Sequence, residues 1–271
     1  MERFFTLSDS VIAIRSKYFV NVLLRRLGVD KVSQITPALV EVAGAERGAV
    51  YSKFRADFYR YKRGENIKND NLIKAVDKLL PGMARIVSHP IWSLLSTRDP
   101  EEAELIVLAQ KLEPGLHQIL LKHDEVTRAI DFRSFTKSRD WFSSGSKFLR
   151  AIDRRGLDEL AALLIAVKAH ELHGEYGESR SLRELVMYFF IEISLVSDFD
   201  GVTEDLYEEV HGVLAKVSSS NRRHGKAFLI LAQMMAREEP WHMLETIRRV
   251  SAGRASHDEK YSVILRCNRA I

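Results

Sequence analysis

Apolar residues recur along this chain at the spacing of helices. The first such segment covers residues 8–28, and it ends in two arginines, a leucine and Gly28, a typical helix C-terminus. Valine and isoleucine rarely alternate with polar residues over the length of a strand. The pattern therefore predicts an all-α protein.

The first 97 residues are predicted to hold several short helices. After 8–28, they are expected over 36–45, 50–63, 70–80 and 83–96. Thr36 is the expected N-cap of the second, with Pro37 at its first helical position, and Asp70 is the expected N-cap of the fourth. Gly64 ends the third helix. The last is interrupted before Pro90, because a residue that precedes proline resists helical geometry.

The acidic segment at 97–104 is the predicted domain boundary. It contains a candidate N-cap residue, Pro100 and several acids, and these together are typical of the start of a new helix. Residues 1–97 and 98–271 are the two predicted domains. Helices in the second are expected near 100–112, 114–123, 124–130, 138–154, 157–174, 180–197, 203–218, 222–237, 239–251 and 257–269. They predict a helical bundle or an irregular helical array.

Charge is distributed unevenly between the two parts. Residues 1–98 hold 17 lysines and arginines against 9 acids, a balance of +8, whereas the remaining residues hold 24 against 28, a balance of −4. This asymmetry favours a basic module for a polyanion joined to an acidic partner module. Chance segregation of solvated charges is the alternative.

The segment 50–63 combines aromatic and basic residues. On one helix, its aromatic side chains fall at the i, i+3, i+7, i+10 spacing of a buried face: Tyr51, Phe54, Phe58 and Tyr61. The cations would face the other way and contact phosphates, with an affinity that falls as salt rises. Base-specific contacts would need the leading residues Ser52, Lys53, Arg55 or Ala56. An exposed basic helix with a purely structural role is the alternative.

Residues 58–79, FYRYKRGENIKNDNLIKAVDKL, resemble the Xre (Cro/C1-type) helix-turn-helix repressor family over part of 50–80. In that family a recognition helix ends in an aromatic, a charged residue, Arg and Gly, here Tyr61 to Gly64. A polar loop and a leucine-rich helix follow, here from Asn71. Upstream, GAERGAVYSKF stands where the family has a Gln- or Ser-led turn. The resemblance implies a basic helix-turn-helix-like module that contacts DNA.

The sequence therefore predicts a DNA-binding protein, a bacterial or phage transcriptional regulator. The residues expected to contact double-stranded DNA are Lys53, Arg55, Arg60, Lys62, Arg63 and Lys68. A homodimer is expected, because two half-sites require two copies at a fixed separation. The acidic residues 98–271 would supply dimerisation or bind a protein partner. A helical protein–protein interaction adaptor without nucleic-acid binding is the alternative function.

No nucleophile–base arrangement stands out, so an enzyme is not expected, and neither a cofactor nor a metal is predicted. His170 and His173 lie three apart on a predicted helix, but this is not the HExxH spacing of zinc sites. A metal-dependent enzyme using this pair is a weaker alternative. The lone Cys267, with no signal peptide and no membrane span in the pattern, predicts a cytoplasmic protein.

Overall fold

The computed structural model of the protein describes residues 6–44, 50–96, 99–123, 130–132, 156–174 and 196–214, with the positions 182, 183, 186, 189, 190 and 193. The chain is predominantly helical, with almost no strand. It divides into two compact units. The first comprises Met1–Arg98 and Val196–Val210, and the second comprises Asp99–Leu195 and His211–Ile271. The domain division at residue 97 stays a prediction.

In the first unit the helices are α1 (Asp9–Leu27), α2 (Val32–Ala43), α3 (Arg55–Lys62), α4 (Asp70–Leu79), α5 (Met83–Val87) and α6 (Pro90–Leu94). Residues 50–52 are also helical, and Ser197–Phe199 form a 3₁₀ turn. In the second unit the elements are α7 (Glu102–Gln110), α8 (Pro114–Leu120), the strands β1 (Leu121–His123) and β2 (Ile130–Phe132), and α9 (Leu157–Leu172). The helix α10 (Thr203–Leu214) begins in the first unit.

The long helix α1 lies at the centre of the first unit. Its first turn is capped by Ser8, whose Oγ accepts a hydrogen bond from the Val11 N–H at 3.2 Å. Its end is fixed by Gly28 in the left-handed region, with φ +64°. Helices α2, α3 and α5 and the 3₁₀ turn all pack against α1. The predicted helix over 8–28 is therefore confirmed within one residue at each end.

The second helix starts earlier than expected, at Val32, and contains Pro37. Gln34 explains the shift, because its Oε1 accepts the Lys31 N–H at 2.9 Å and the Asp30 N–H at 3.2 Å. This side chain satisfies amides that would otherwise have no partner at a helix start. The prediction that Thr36 caps the helix and Pro37 begins it is wrong.

The predicted continuous helix over 50–63 is also interrupted. Residues 53–54 form a turn between the helical residues 50–52 and α3. The Phe54 N–H donates to the Tyr51 carbonyl, three residues back, at 3.0 Å. Phe54 itself has φ −94° and ψ 0° rather than helical angles. The rings of Tyr51 and Phe54 pack edge to face at 6.5 Å, so this turn keeps both aromatics on the buried side.

The helix α9 forms the centre of the second unit. Its residues are buried from Leu157 to His170, and α7 and α8 both pack against it. A helix that is apolar on every side belongs in a core. Its buried Lys168 is paired with Asp99, with 2.8 Å between Nζ and Oδ1. Within the described residues of both units, no helix has the length and apolarity needed to span a membrane.

Two short strands replace part of the helices predicted over 114–123 and 124–130. The strands β1 and β2 pair antiparallel, with Leu121 opposite Phe132 and Lys122 opposite Asp131. Leu121 and Phe132 are both buried, so each short segment alternates between an apolar and a polar position. A period of two over only three residues is too short to stand out in the sequence. The helices predicted over 138–154, 222–237, 239–251 and 257–269 lie outside the described residues.

Candidate nucleic-acid interface

The aromatic face predicted for residues 50–63 is buried, despite the turn within it. The exposed fractions are 6% for Tyr51, 7% for Phe54, 0% for Phe58 and 2% for Tyr61. The Tyr61 ring packs edge to face on Phe19 of α1 at 6.5 Å. The aromatic seam therefore fixes α3 against α1 and leaves the polar side of α3 outward. This prediction is confirmed.

Gly64 ends α3 where the chain passes close to α1. Its φ is +93°, a region that side chains with a Cβ rarely adopt. A Cβ at this position would lie 2.8 Å from the Cβ of Ala13 and 3.2 Å from its Cα. Gly64 is therefore required both by its backbone angles and by the approach of α1.

The loop 65–69 is held at both ends by asparagines. Asn66 Oδ1 accepts from the Arg15 guanidinium of α1 at 2.8 Å. Asn69 Oδ1 accepts the Leu72 N–H at 3.1 Å and so caps α4, whereas Asp70 was the predicted cap. Asn69 Nδ2 donates to Asp57 Oδ2 of α3 at 2.9 Å. These bonds fix the loop backbone beside the end of α3.

Arg60 and Arg63, two of the six predicted DNA contacts, share one carboxylate. Arg60 Nε lies 2.7 Å from Glu65 Oε2, and an Arg63 terminal nitrogen lies 2.9 Å from Glu65 Oε1. Hydrogen bonds from Arg60 and then Arg63 lower the pKa of Glu65, and the hydrogen bond to Glu65 raises the pKa of Arg60. Both arginines are exposed but neither is without an anion.

Lys62 is tied to α1 rather than directed away from it. Its Nζ donates to Asn21 Oδ1 at 2.7 Å. The amide of the buried Asn21 in turn donates to the backbone carbonyls of Asp198 at 3.1 Å and Asp200 at 2.8 Å. Loss of hydration on burial lowers the pKa of Lys62. The expectation that Lys62 faces a phosphate freely is therefore modified, because a buried amide already accepts from its ammonium.

The other three residues that were predicted to contact DNA lie at the protein surface. Lys53, Arg55 and Lys68 are exposed, and among the described residues they have no carboxylate within ion-pair distance. Ser52, which precedes α3, and Ala56 in its first turn are exposed as well. The side chains expected to reach base edges are thus accessible. The aromatic Tyr59 of α3 is also exposed, at 38%.

A cleft of about 450 Å³ lies beside Lys62 at the C-terminal end of α1. Its walls include Asn21, Arg25, Asp30 and Asp200. Arg25 Nε is 2.5 Å from Asp198 Oδ1, so this guanidinium is already paired. The cleft therefore presents charges of both signs, unlike the cationic surface of α3.

His170 lies in α9 and His173 directly follows its last residue, and the two have separate surroundings. His170 is buried, with 4% of its surface exposed, whereas His173 Nε2 lies 2.8 Å from Glu102 Oε1. In the part of the chain that the structure describes, no group of three or more His, Cys, Asp or Glu side chains is placed to hold a metal ion.

No family model, no curated protein and no solved structure matches this chain. The resemblance of residues 50–80 to the Xre repressors therefore stays a prediction. Sequence reasoning missed Glu65 and Asn21 as partners of the predicted cations, and also Asp57, which lies 3.6 Å from Arg60. Glu65 follows Arg63 by two residues and Arg60 by five, so this pairing has a local signal in the sequence. Asn21 is 41 residues from Lys62 and has no such signal.

Proposed function

We propose that the first unit binds double-stranded DNA through the outer side of α3 and the loop that follows it. The observation that carries this proposal is the division of one short segment into two faces. The four aromatics of this segment are buried, whereas its Lys53 and Arg55, together with Lys68 of the loop that follows, are exposed without an ion pair among the described residues. Such a helix can be held by its domain while its cations meet phosphates.

The dimensions of α3 suit a groove of duplex DNA. An α-helix with its side chains is about 10–12 Å across, and the major groove of B-DNA is about 12 Å wide. Ser52 and Lys53, which precede α3, and Arg55 at its first position would reach base edges. Lys68 would contact the phosphate backbone from the loop. Residues 1–98 have a balance of +8, but Val196–Val210 add six acids and no lysine or arginine to the first unit. The unit as a whole therefore has a balance of +2, which would add only a weak attraction that is independent of sequence.

We extend the proposal to a transcriptional regulator that acts as a homodimer. Two copies would place two α3 helices on half-sites about 34 Å apart, one turn of the duplex. The second unit holds 24 lysines and arginines against 22 acids, so it is not acidic as the sequence predicted, and it is the candidate for dimerisation or for a protein partner. Sedimentation equilibrium of the full chain tests this part, and a monomer at every concentration would exclude the dimer.

A fluorescence anisotropy titration with a random-sequence duplex tests DNA binding. We expect binding at about 50 mM salt that weakens by orders of magnitude at about 200 mM, because phosphate contacts release counterions. The double variant Lys53→Ala/Arg55→Ala should reduce the slope of log affinity against log salt by about 0.9 for each lost contact. The double variant Arg60→Ala/Arg63→Ala should also weaken binding.

The matched control is Lys122→Ala, which removes an exposed cation from the second unit and should leave duplex affinity unchanged. If the wild-type chain shows no duplex binding at low salt, DNA binding is excluded. The protein-interaction adaptor would then be the better account of the basic surface.

A further inference from the structure

Glu65 holds an anionic group where two guanidinium groups converge. One carboxylate oxygen lies 2.7 Å from Arg60 Nε, and the other lies 2.9 Å from an Arg63 terminal nitrogen. These are the distances of charge-assisted hydrogen bonds to an anion. All three side chains are substantially exposed, at 51% for Arg60, 66% for Arg63 and 41% for Glu65. A solute anion can therefore reach the same place.

We propose that Arg60 and Arg63 form a binding site for one phosphate group, which the carboxylate of Glu65 occupies in the free protein. A phosphodiester offers two unesterified oxygens on one centre, as a carboxylate does, so it can take the same two hydrogen bonds. This inference rests on the proposed function for the source of the phosphate, a DNA backbone. A free phosphate has the same chemistry and is the other source.

The surroundings allow Glu65 to leave while the arginines stay in place. Arg60 has a second anion, Asp57, with 3.6 Å between its terminal nitrogen and Oδ1, and this contact orients the guanidinium without Glu65. The loop backbone is held by Asn66 and Asn69. The carboxylate would therefore be released by rotation of its own side chain, without a change in the loop.

Displacement of Glu65 lowers the net affinity for phosphate, because the arginines exchange one anion for another. In the wild type, the phosphate meets Arg60, Arg63 and Glu65, which have a net charge of +1. Without the carboxylate, it would meet the two arginines alone, with a net charge of +2. A glutamate is ionised at neutral pH, and the hydrogen bonds from Arg60 and Arg63 lower the pKa of Glu65 further, so the competitor is present there. Glu65 would thus weaken binding to any duplex.

The variant Glu65→Gln tests the site, because it keeps the shape of the side chain and removes the charge. The matched control is Glu41→Gln on the exposed surface of α2, which makes the same change in net charge away from the arginines. Each full-length protein is titrated with inorganic pyrophosphate by calorimetry and with a random duplex by anisotropy. We expect Glu65→Gln to bind both about three- to tenfold more tightly than wild type at about 50 mM salt.

Glu41→Gln should change neither affinity by more than about twofold, and Arg60→Ala in the Glu65→Gln background should remove the gain. If Glu65→Gln matches Glu41→Gln with both ligands, the phosphate site is refuted, and salt-dependent wild-type binding to the duplex would still support the proposed function. If the duplex does not bind but pyrophosphate responds to Glu65→Gln, the proposed function fails and free phosphate is the source. A gain with the duplex alone identifies the DNA backbone as the source.

Discussion

Replacement of Gly64 by alanine tests how α3 is joined to the rest of the first unit. Gly64 lies at φ +93°, and an added methyl group would meet the Cβ of Ala13 at 2.8 Å. Two costs follow from these numbers. A left-handed backbone costs a residue with a Cβ about 1–2 kcal/mol. Relief of an overpacked contact costs about 1–3 kcal/mol more. We therefore expect Gly64→Ala to lower the free energy of unfolding by about 2–5 kcal/mol.

Gly28 provides the matched control for the second cost. It also has a positive φ, +64°, but nothing lies within 4 Å of the Cβ that alanine would add. Gly28→Ala should therefore cost only the backbone term of about 1–2 kcal/mol. The difference between the two variants measures the close approach of α1 to the end of α3.

Urea titration of the full chain measures both variants. Trp92 is buried in the first unit and packs on Tyr18, so its fluorescence reports on that unit. The background replaces Trp141 and Trp241 by phenylalanine to leave one reporter. A midpoint shift at constant slope gives the change in stability.

The additional variant Ala13→Gly completes a double-mutant cycle with Gly64→Ala. Removal of the Ala13 methyl group should recover part of the cost, so the two changes should not be additive. Equal destabilisation by Gly64→Ala and Gly28→Ala would refute the argument. Strict additivity of Gly64→Ala and Ala13→Gly would refute it independently.

Four further substitutions test the packing and charge of the candidate site. Phe58→Ala should cost about 3–5 kcal/mol in urea titration, because a fully buried ring is lost, and Phe58→Leu should cost less than half of that. Asn21→Ala should cost about 1–3 kcal/mol in the same assay, since the Lys62 ammonium and two backbone carbonyls lose their partner. By NMR titration, the pKa of the Glu65 carboxyl should lie below the ordinary glutamate pKa, and Arg60→Ala should raise it. The ion pairs of Glu65 therefore stabilise the fold at pH values above the pKa that this carboxyl has in the unfolded chain. That stabilisation is lost as the pH falls through the lower pKa of the folded state.

Several features of the site could be predicted because their signals are local. The buried spacing of Tyr51, Phe54, Phe58 and Tyr61 is a helical repeat that a reader finds in the sequence, and the structure confirms it. Gly64 was expected to end α3, and its positive φ is what such a position requires. These signals depend on neighbours within a few turns, so they need no knowledge of the fold.

Other features of the fold were predicted wrongly or missed, because the sequence signals for them compete with one another. Pro37 was expected to begin α2, but the side chain of Gln34 satisfies amides one turn earlier. The turn at 53–54 was missed, because it preserves the same buried face as a continuous helix. The strands β1 and β2 were missed, because each has only three residues and is stabilised by its partner.

The sequence by itself determined which side of α3 is apolar, where that helix ends and which residues carry its positive charge. Only the tertiary structure decided that Lys62 is already paired, whereas the partner that Arg60 and Arg63 share lies close to them in sequence. Lys62 meets Asn21 of α1 because two helices pack together, and Glu65 meets two arginines because the loop after Gly64 turns back beside α3. The physical reason is that a charged group pairs with what lies within a few ångströms in space. That distance is set by the fold rather than by separation along the chain.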